Sequence, residues 1–187
     1  MSSVTIPTEK ELRERPFVTL NFVVVGGSPS HRHDLCQQLV ALSAESEFLH
    51  CTAASFGSVE ELAKGASEIT ENVLCVVVVD MTSVLDCESL EKWLVGLHKL
   101  QFFGKVCIAI YNVHRASERI CSTEFIHAVR TKHRPTPIFF HGPDKAKWHV
   151  LAASILRWGE IAAGLRGEVT VQYLETVIKQ PDDAEDT

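Results

Sequence analysis

The residues best placed to do chemistry lie where a β-branched run gives way to a helix-forming segment. Gly26 and Gly27 end that run, and three polar side chains follow shortly after them: His31, Arg32 and His33. A phosphate-binding loop of the form GxxxxGK[ST] presents successive backbone amides to phosphate oxygens and adds a lysine. Aligned on Gly26, that pattern requires Gly, Lys and Ser or Thr at the three positions, and none of them matches. We therefore interpret this stretch as a degenerate phosphate loop.

The same stretch is also typical of a plain turn into a helix. Ser28 is a common N-cap and Pro29 a common first helical residue, which leaves about two residues between strand and helix. Pro29 has no amide hydrogen for a phosphate, and one glycine pair does not make a GxGxxG dinucleotide fingerprint. Two alternatives stay open. The helix N-terminus with Arg32 could hold an anion, and the HxHxxC pattern from His31 could bind zinc, although its side chains should fan around the helix axis.

Three further strand ends carry polar residues that a nucleotide-binding protein could use. Asp80 follows a run of valines, where a hydrolase could place a metal-binding carboxylate, although an aspartate there more often caps a turn. Asn112 occupies the first position of a guanine-reading NKxD pattern, but valine replaces the lysine and Arg115 replaces the aspartate. Without that carboxylate, nothing accepts hydrogen bonds from the guanine edge. We predict a degenerate guanine position, and we find no purine contact at His141.

Runs of β-branched and aromatic residues alternate with amphipathic segments along the chain. The run at 73–79 has five valines among seven apolar residues, which predicts a central strand covered on both faces. Because each helix returns the chain over the sheet, we predict an α/β, three-layer fold with a central, mostly parallel sheet. The predicted strands are 17–25, 48–54, 73–79, 106–111 and 136–140. The predicted helices are 29–44, one behind a capping box at Ser58 and Glu61, one marked by Leu90 to Leu100, 122–132, 144–163 and 169–178.

Length and charge limit the classes of protein that this sequence can encode. The 187 residues, 45% of them apolar and 22% charged, are typical of one folded domain. The net charge of −6, from 18 basic and 24 acidic residues, argues against a free-standing nucleic-acid binder. Residues 113–149 are locally basic, with seven Lys or Arg against three Asp or Glu, and form either a solvated face or a patch for an acidic partner or a phosphate backbone. We predict four segments: a lead-in at 1–15, the α/β domain at 16–166, a C-terminal helix at 167–179 and an acidic flexible tail at 180–187.

Targeting segments and cysteines indicate the compartment. No stretch reaches the roughly 18 consecutive apolar residues of a membrane span, and no apolar signal core opens the sequence, so we expect a soluble intracellular protein. The six cysteines stand 12 to 24 residues apart and form no CxxC pair. We expect Cys75 and Cys107, which lie inside apolar runs, to be buried thiols in a reducing compartment.

One segment carries a recognisable family pattern. Residues 102–107, FFGKVC, follow the valine strand and an amphipathic helix. They are similar to the FF-x-GKVC segment of the centromere protein M family, with one residue fewer before the glycine. Residues 35–39, LCQQL, resemble that family's first helix, and further similarity lies at residues 117–118, 121–122 and 162–164. The resemblance covers most of residues 17–178, and the chain departs from it by a longer N-terminus and a longer segment at 56–72.

The resemblance implies a small-GTPase-like (Ras-like) fold without a functional P-loop or switch regions. Such a pseudo-GTPase would use no cofactor, no metal and no catalytic residue. It would act as a protein-interaction scaffold of the inner kinetochore, at the centromere in the nucleus, with centromere protein I, a helical-repeat protein, and centromere proteins H and K. Contact with centromeric nucleosomes or DNA would be indirect, through that complex, and neither a membrane nor a small-molecule substrate is implied.

A protein that has no catalytic site and binds no cofactor is expected to act through the surface that it presents to other proteins. Phe102 and Phe103 lie between a helix end and a strand, so they either anchor a partner or fold onto the sheet edge. Three residues of the last predicted helix either form a docking stripe or cover the domain: Val171, Tyr173 and Leu174.

Two other function classes remain open from the sequence. A divergent GTPase, NTPase or nucleotide sensor would bind nucleotide through an unorthodox phosphate loop. An unrelated enzyme on a flavodoxin-like sheet would have a pocket at the strand ends lined by Asp80, Asn112 and His141.

Overall fold

The computed structural model describes residues 18–46, 49–65, 73–113, 119–141 and 146–165, without the side chains at 63–65, 123, 146 and 147. The predicted lead-in, C-terminal helix and acidic tail lie outside these residues.

Strands and helices alternate through the described part of the chain, as the sequence predicts. The strands are β1 (Val18–Gly26), β2 (Leu49–Phe56), β3 (Val73–Asp80), β4 (Val106–Tyr111) and β5 (Ile138–Phe140). The helices are α1 (Pro29–Ala44), α2 (Val59–Gly65), α3 (Val84–Gly96), α4 (His98–Phe102), α5 (Thr123–Lys132) and α6 (Ala146–Ala162).

The five strands form one sheet in the order β2-β1-β3-β4-β5, and every pair in it is parallel. The valine strand β3 is central, as its unbroken apolar run predicts. Its Val78 is in register with Gly26 of β1, and its Asp80 with Tyr111 of β4, so three strands end near one another. The sheet and its flanking helices confirm the α/β prediction and are consistent with a Ras-like fold.

Side chains alternate along each strand between two cores, one on each face of the sheet. On one face, Phe22 and Val76 pack beneath α1 and α6. On the other face, Val77 and Ile110 pack beneath α2, α3 and α5. Because both faces are covered, every position of β3 from Val73 to Val79 is buried, which accounts for its apolar composition.

Serine hydroxyls begin four of the helices by accepting a hydrogen bond from the amide three residues later. The pairs are Ser28 with His31 (3.2 Å), Ser58 with Glu61 (3.2 Å), Ser83 with Asp86 (3.2 Å) and Ser122 with Phe125 (3.3 Å). The predicted capping box at Ser58 is only half formed. The Glu61 carboxylate accepts a hydrogen bond from the Gly57 amide (2.6 Å), one residue before the expected position.

Several element boundaries differ from the prediction, most of them by one or two residues. The helix predicted through Leu90 to Leu100 is two helices, because the backbone of Leu97 leaves the helical conformation between them, with φ −99° and ψ 9°. Strand β2 continues to Phe56 because β1 remains paired with it there. Strand β5 is limited to three residues because the preceding segment forms a turn instead.

The cysteines confirm one expectation and add a bond that the spacing did not predict. Cys75 and Cys107 are buried free thiols. Cys87 and Cys121, 34 residues apart, form a disulfide that joins the start of α3 to the segment before α5. Both segments meet at the end of β3, where the amide of Cys121 bonds to the carbonyl of Met81.

Candidate functional site

The connection between β1 and α1 lies at the switch point of the sheet, where parallel α/β proteins bind ligands. Only Gly27 and Ser28 separate the end of the strand at Gly26 from the start of the helix at Pro29. Gly26 and Gly27 have φ values of +82° and +61°, in the left-handed region that favours glycine. Two such residues in succession turn the chain directly from strand to helix.

The Arg32 side chain folds back onto this connection. Its Nη1 atom donates hydrogen bonds to the carbonyl oxygens of Gly26 (3.0 Å) and Gly27 (2.6 Å). The loop therefore directs carbonyl oxygens toward a guanidinium group of its own chain. A phosphate site requires the reverse arrangement, with amide hydrogens converging on an external anion.

The glycines also pack against the sheet and α3. A Cβ atom at Gly26 would lie 2.5 Å from the Trp93 ring, and one at Gly27 would lie 2.5 Å from Cγ1 of Val78. Close packing beneath the turn explains why both positions are glycine without reference to a ligand.

The carboxylate of Asp80, at the end of β3, accepts hydrogen bonds from neighbouring residues. Its Oδ1 atom accepts hydrogen bonds from the Thr82 amide (2.9 Å), the Thr82 hydroxyl (2.7 Å) and Nδ2 of Asn112 (2.8 Å). Its Oδ2 atom lies 3.7 Å from Nδ1 of His31. Burial on its own would raise the pKa of Asp80, but these hydrogen bonds and the nearby His31 outweigh burial and lower that pKa.

The backbone of Asp80 is bound as well, by a second carboxylate. The Asp80 amide donates to Oδ2 of Asp86 at 3.0 Å. Burial raises the pKa of Asp86, and the adjacent negative charge of Asp80 adds to that effect. The pKa of Asp80 is thus lowered and that of Asp86 is raised, although the two carboxyl groups are close together.

Four aromatic rings contact one another at the carboxyl ends of β4 and β5. Tyr111 lies 4.8 Å from His31 at an interplanar angle of 10°, and 5.0 Å from His141 at 20°. Trp148 of α6 closes the cluster, with its ring 4.5 Å from His141 and 5.0 Å from Tyr111. Tyr111 is buried, which raises the pKa of its hydroxyl well above the ordinary value. We call these four residues the aromatic cluster.

Sequence reasoning missed Tyr111 and Trp148 as members of this region. Tyr111 is the last residue of an apolar strand, and Trp148 lies on the apolar face of α6, so each matched an ordinary core residue. The pattern at the strand ends pointed to polar residues only. Contact between two rings 37 positions apart depends on the path of the chain between them.

The predicted site residues are only partly brought together. Asn112 and His31 both approach Asp80, Arg32 bonds to the two glycines, and His33 is exposed on α1. The HxHxxC pattern diverges, because Cys36 packs against the core beneath α1, where burial raises its pKa to about 11. Within the described ranges, no group of three or more His, Cys, Asp or Glu side chains could hold a metal ion. Four predicted residues lie outside the described residues: Arg115, Val171, Tyr173 and Leu174.

The Phe102 and Phe103 side chains, at the end of α4, are exposed to solvent. They are 85% and 69% exposed, and their rings pack edge to face with centroids 5.5 Å apart. The two rings are therefore not folded onto the sheet edge, which was one of the two arrangements that the sequence left open.

A comparison with known protein families identifies a match for this chain. The sequence profile of the family Centromere protein M (CENP-M) matches residues 20–181, which is most of the chain. No individually curated protein matches it. None of the described helices has the length and apolar character needed to cross a membrane.

Proposed function

The chain belongs to the centromere protein M family and is thus a protein of the centromere and kinetochore, and we propose that it is a non-catalytic pseudo-GTPase acting there as a protein-interaction scaffold. Its role is to support kinetochore assembly and chromosome segregation from within the nucleus. It uses no nucleotide, metal or catalytic residue.

The observation that carries this proposal is the pair of hydrogen bonds from Arg32 to Gly26 and Gly27. A triphosphate bound at this turn would face carbonyl oxygens, which repel phosphate oxygens, and a cation that is already engaged. A connection of two residues also has too few amides to surround a phosphate group, and Pro29 contributes none.

The guanine position supports the same conclusion. Asn112 donates to Asp80 of its own chain, and the space beside it is lined by the rings of Tyr111 and His141. The Asn112 amide is thus engaged by Asp80, and the two rings stack on each other at the ends of β4 and β5. A base would have to displace them and break buried contacts to bind.

The partners that we propose are centromere protein I, a helical-repeat protein, and centromere proteins H and K. Contact with centromeric nucleosomes or DNA would be indirect, through this complex. Family membership supports the assignment, and a module whose strand ends are occupied by its own side chains acts through its outer surface.

Titration calorimetry of the full chain tests the absence of nucleotide binding. GTP, GDP and ATP are each titrated with Mg²⁺, and we expect no saturable heat for any of them. The Arg32→Ala variant is the matched control. It should also give none, because removing the guanidinium leaves the short connection and Pro29 unchanged. A dissociation constant of about 1 μM for any nucleotide would instead favour a divergent NTPase or nucleotide sensor.

Reconstitution tests the scaffold role. The full chain is mixed with centromere proteins H, I and K and separated by size-exclusion chromatography. We expect one stable assembly that neither EDTA nor added GTP dissociates. Dissociation by EDTA, or elution of the chain by itself, would contradict the proposal.

A further inference from the structure

We propose that Phe102, Phe103 and the cations around them bind an acidic segment of a partner protein that carries a large apolar side chain. We call this region the basic aromatic surface. The inference rests on the proposed scaffold function, because it assigns partner binding to one surface of that scaffold.

The two phenylalanines are available for binding and are not needed by the core. Helix α4 contains no buried residue, and both rings project from its end with 85% and 69% of their surface exposed. Exposing two adjacent aromatic rings leaves apolar area in water that a partner can remove. Large aromatic side chains in such positions are the residue type that most often anchors a protein interface.

The end of α4 holds the backbone that carries the rings in one conformation. The Gly104 amide bonds to the Gln101 carbonyl (3.0 Å), and the Lys105 amide bonds to the Leu100 carbonyl (2.9 Å). With Gly104 at φ +67°, these two bonds form a Schellman motif. The backbone at Phe102 and Phe103 is therefore already ordered, which lowers the entropy cost of binding through them.

The two segments that meet at α4 carry positive charge in a chain whose net charge is −6. Lys99 precedes Phe102 by three residues on α4, so the two side chains lie on neighbouring turns. Nε2 of Gln101 donates to Oγ1 of Thr136 (2.8 Å), which places α4 beside the turn that follows α5. Residues 98–105 and 130–136 together contain no Asp or Glu and five basic residues: Lys99, Lys105, Arg130, Lys132 and Arg134.

Two basic side chains of this region already bind a carboxylate of the same chain. Glu91 of α3 contacts Nζ of Lys132 (2.7 Å) and Nε2 of His133 (3.1 Å). Lys99 and Arg134 are exposed and have no ion pair with the described residues. They are thus available for carboxylates of a partner whose apolar side chain covers the two rings.

A protein segment fits this surface better than a nucleic acid does. Single-stranded nucleic acids bind where aromatic faces are open for bases to stack. Here the rings meet at 81°, so the edge of one ring covers part of the face of the other.

Binding of fluorescently labelled full-length chain to the reconstituted complex of centromere proteins H, I and K tests the inference. The double variant Phe102→Ser with Phe103→Ser should bind at least about tenfold more weakly. The double variant Lys99→Glu with Arg134→Glu should weaken binding by a similar factor and reduce its dependence on NaCl concentration.

Two exposed positions elsewhere provide matched controls. Leu85 on α3 is 74% exposed, so Leu85→Ser removes a comparable apolar side chain, and Arg157→Glu reverses an exposed charge on α6, on the opposite face of the sheet. Both should bind within about twofold of the wild type. Because all of these side chains are exposed, circular dichroism should show unchanged thermal unfolding for the surface variants.

The binding experiments distinguish failure of the proposed function from failure of this inference. A wild-type chain that does not bind the complex would overturn the proposed function and this inference with it. Wild-type binding that both surface variants retain would overturn the inference alone. Retained protein binding with loss of affinity for a DNA duplex of about 30 base pairs would assign the surface to nucleic acid instead. Retained protein binding with loss of self-association in sedimentation would assign it to a second copy of the chain.

Discussion

Arg32 determines the character of the loop after β1 through a single side chain. Where a phosphate loop has a lysine that reaches outward, this arginine bonds to the carbonyl oxygens of Gly26 and Gly27. Asp80 shows the same inward use of polar groups, because Thr82 and Asn112 occupy its Oδ1 atom. At the residue scale, the polar side chains of this edge stabilise the fold of their own chain.

Replacing Gly27 with alanine should destabilise the protein by about 2 to 4 kcal/mol. The added Cβ would combine an unfavourable φ of +61° with a contact of 2.5 Å to Val78. Urea denaturation measures the loss. Gly104→Ala is the matched control, because Gly104 has a similar φ of +67° and open space beside it, and it should cost only about 1 kcal/mol. Equal losses in the two variants would show that packing beneath Gly27 is unimportant.

At pH values above the pKa of an unfolded aspartate, ionised Asp80 should stabilise the folded protein. Its pKa is lowered in the folded protein, so its contribution is lost as the pH falls through that folded value. The stability advantage of the wild type over Asp80→Asn should therefore shrink as the pH decreases from about 6 to about 2. Urea denaturation across that range measures it.

Asp86→Asn is the control for this pH dependence, with the opposite sign. The pKa of Asp86 is raised by burial, so its ionisation opposes folding as the pH increases. Relative to the wild type, Asp86→Asn should gain stability with increasing pH. If the two variants changed in parallel, the opposite shifts of the two carboxyl groups would be wrong.

Helix starts and ends follow short local signals at the scale of elements. Serine caps begin α1, α2, α3 and α5, and glycines in left-handed conformation follow the last turns of α4 and α6. Gly164 ends α6 with the same two backbone bonds that Gly104 makes after α4. Such signals act within one or two turns, which is why the sequence predicted most helix boundaries closely.

Removing the Ser122 hydroxyl should destabilise the protein by about 1 kcal/mol, because the amide of Phe125 loses its hydrogen-bond acceptor. Thermal unfolding of Ser122→Ala measures the effect, and Ser122→Asp should retain the wild-type stability. Ser154→Ala is the control. This serine lies within α6 and bonds back to the Val150 carbonyl, so its replacement should cost nothing or stabilise slightly. Equal effects at 122 and 154 would contradict a capping role.

At the scale of the whole molecule, two cores on opposite faces of one sheet bury the free thiols. Burial raises the pKa of Cys36 to about 11 and those of Cys51 and Cys75 to about 12. Burial also raises the pKa of Cys107 well above its ordinary value. Thiolates, which are the reactive form, are therefore rare in the folded protein at neutral pH.

Thiol counting with a chromogenic disulfide reagent tests this arrangement. The folded protein at pH 7 should react slowly. In urea without a reductant, four thiols should react, and prior reduction should increase the count to six, because Cys87 and Cys121 are joined. The variant Cys87→Ser with Cys121→Ser should give four under both conditions. Six reactive thiols in the unreduced wild type would show that the disulfide is absent.

The kind and order of the elements and the central position of β3 were predictable from the amino-acid sequence. So were the caps at Ser28 and Ser58 and the mismatches to the nucleotide-binding motifs. These features depend on hydrophobic periodicity and on contacts within a few residues, so they are readable locally.

The contacts that the residues at the motif positions make were visible only in the folded protein. The bonds of Arg32 to the turn, the aromatic cluster, the disulfide and the exposure of Phe102 and Phe103 all depend on where distant segments meet. Residue types and spacing do not specify those contacts, because they form only when the helices have packed on both faces of the sheet and brought the strand ends together.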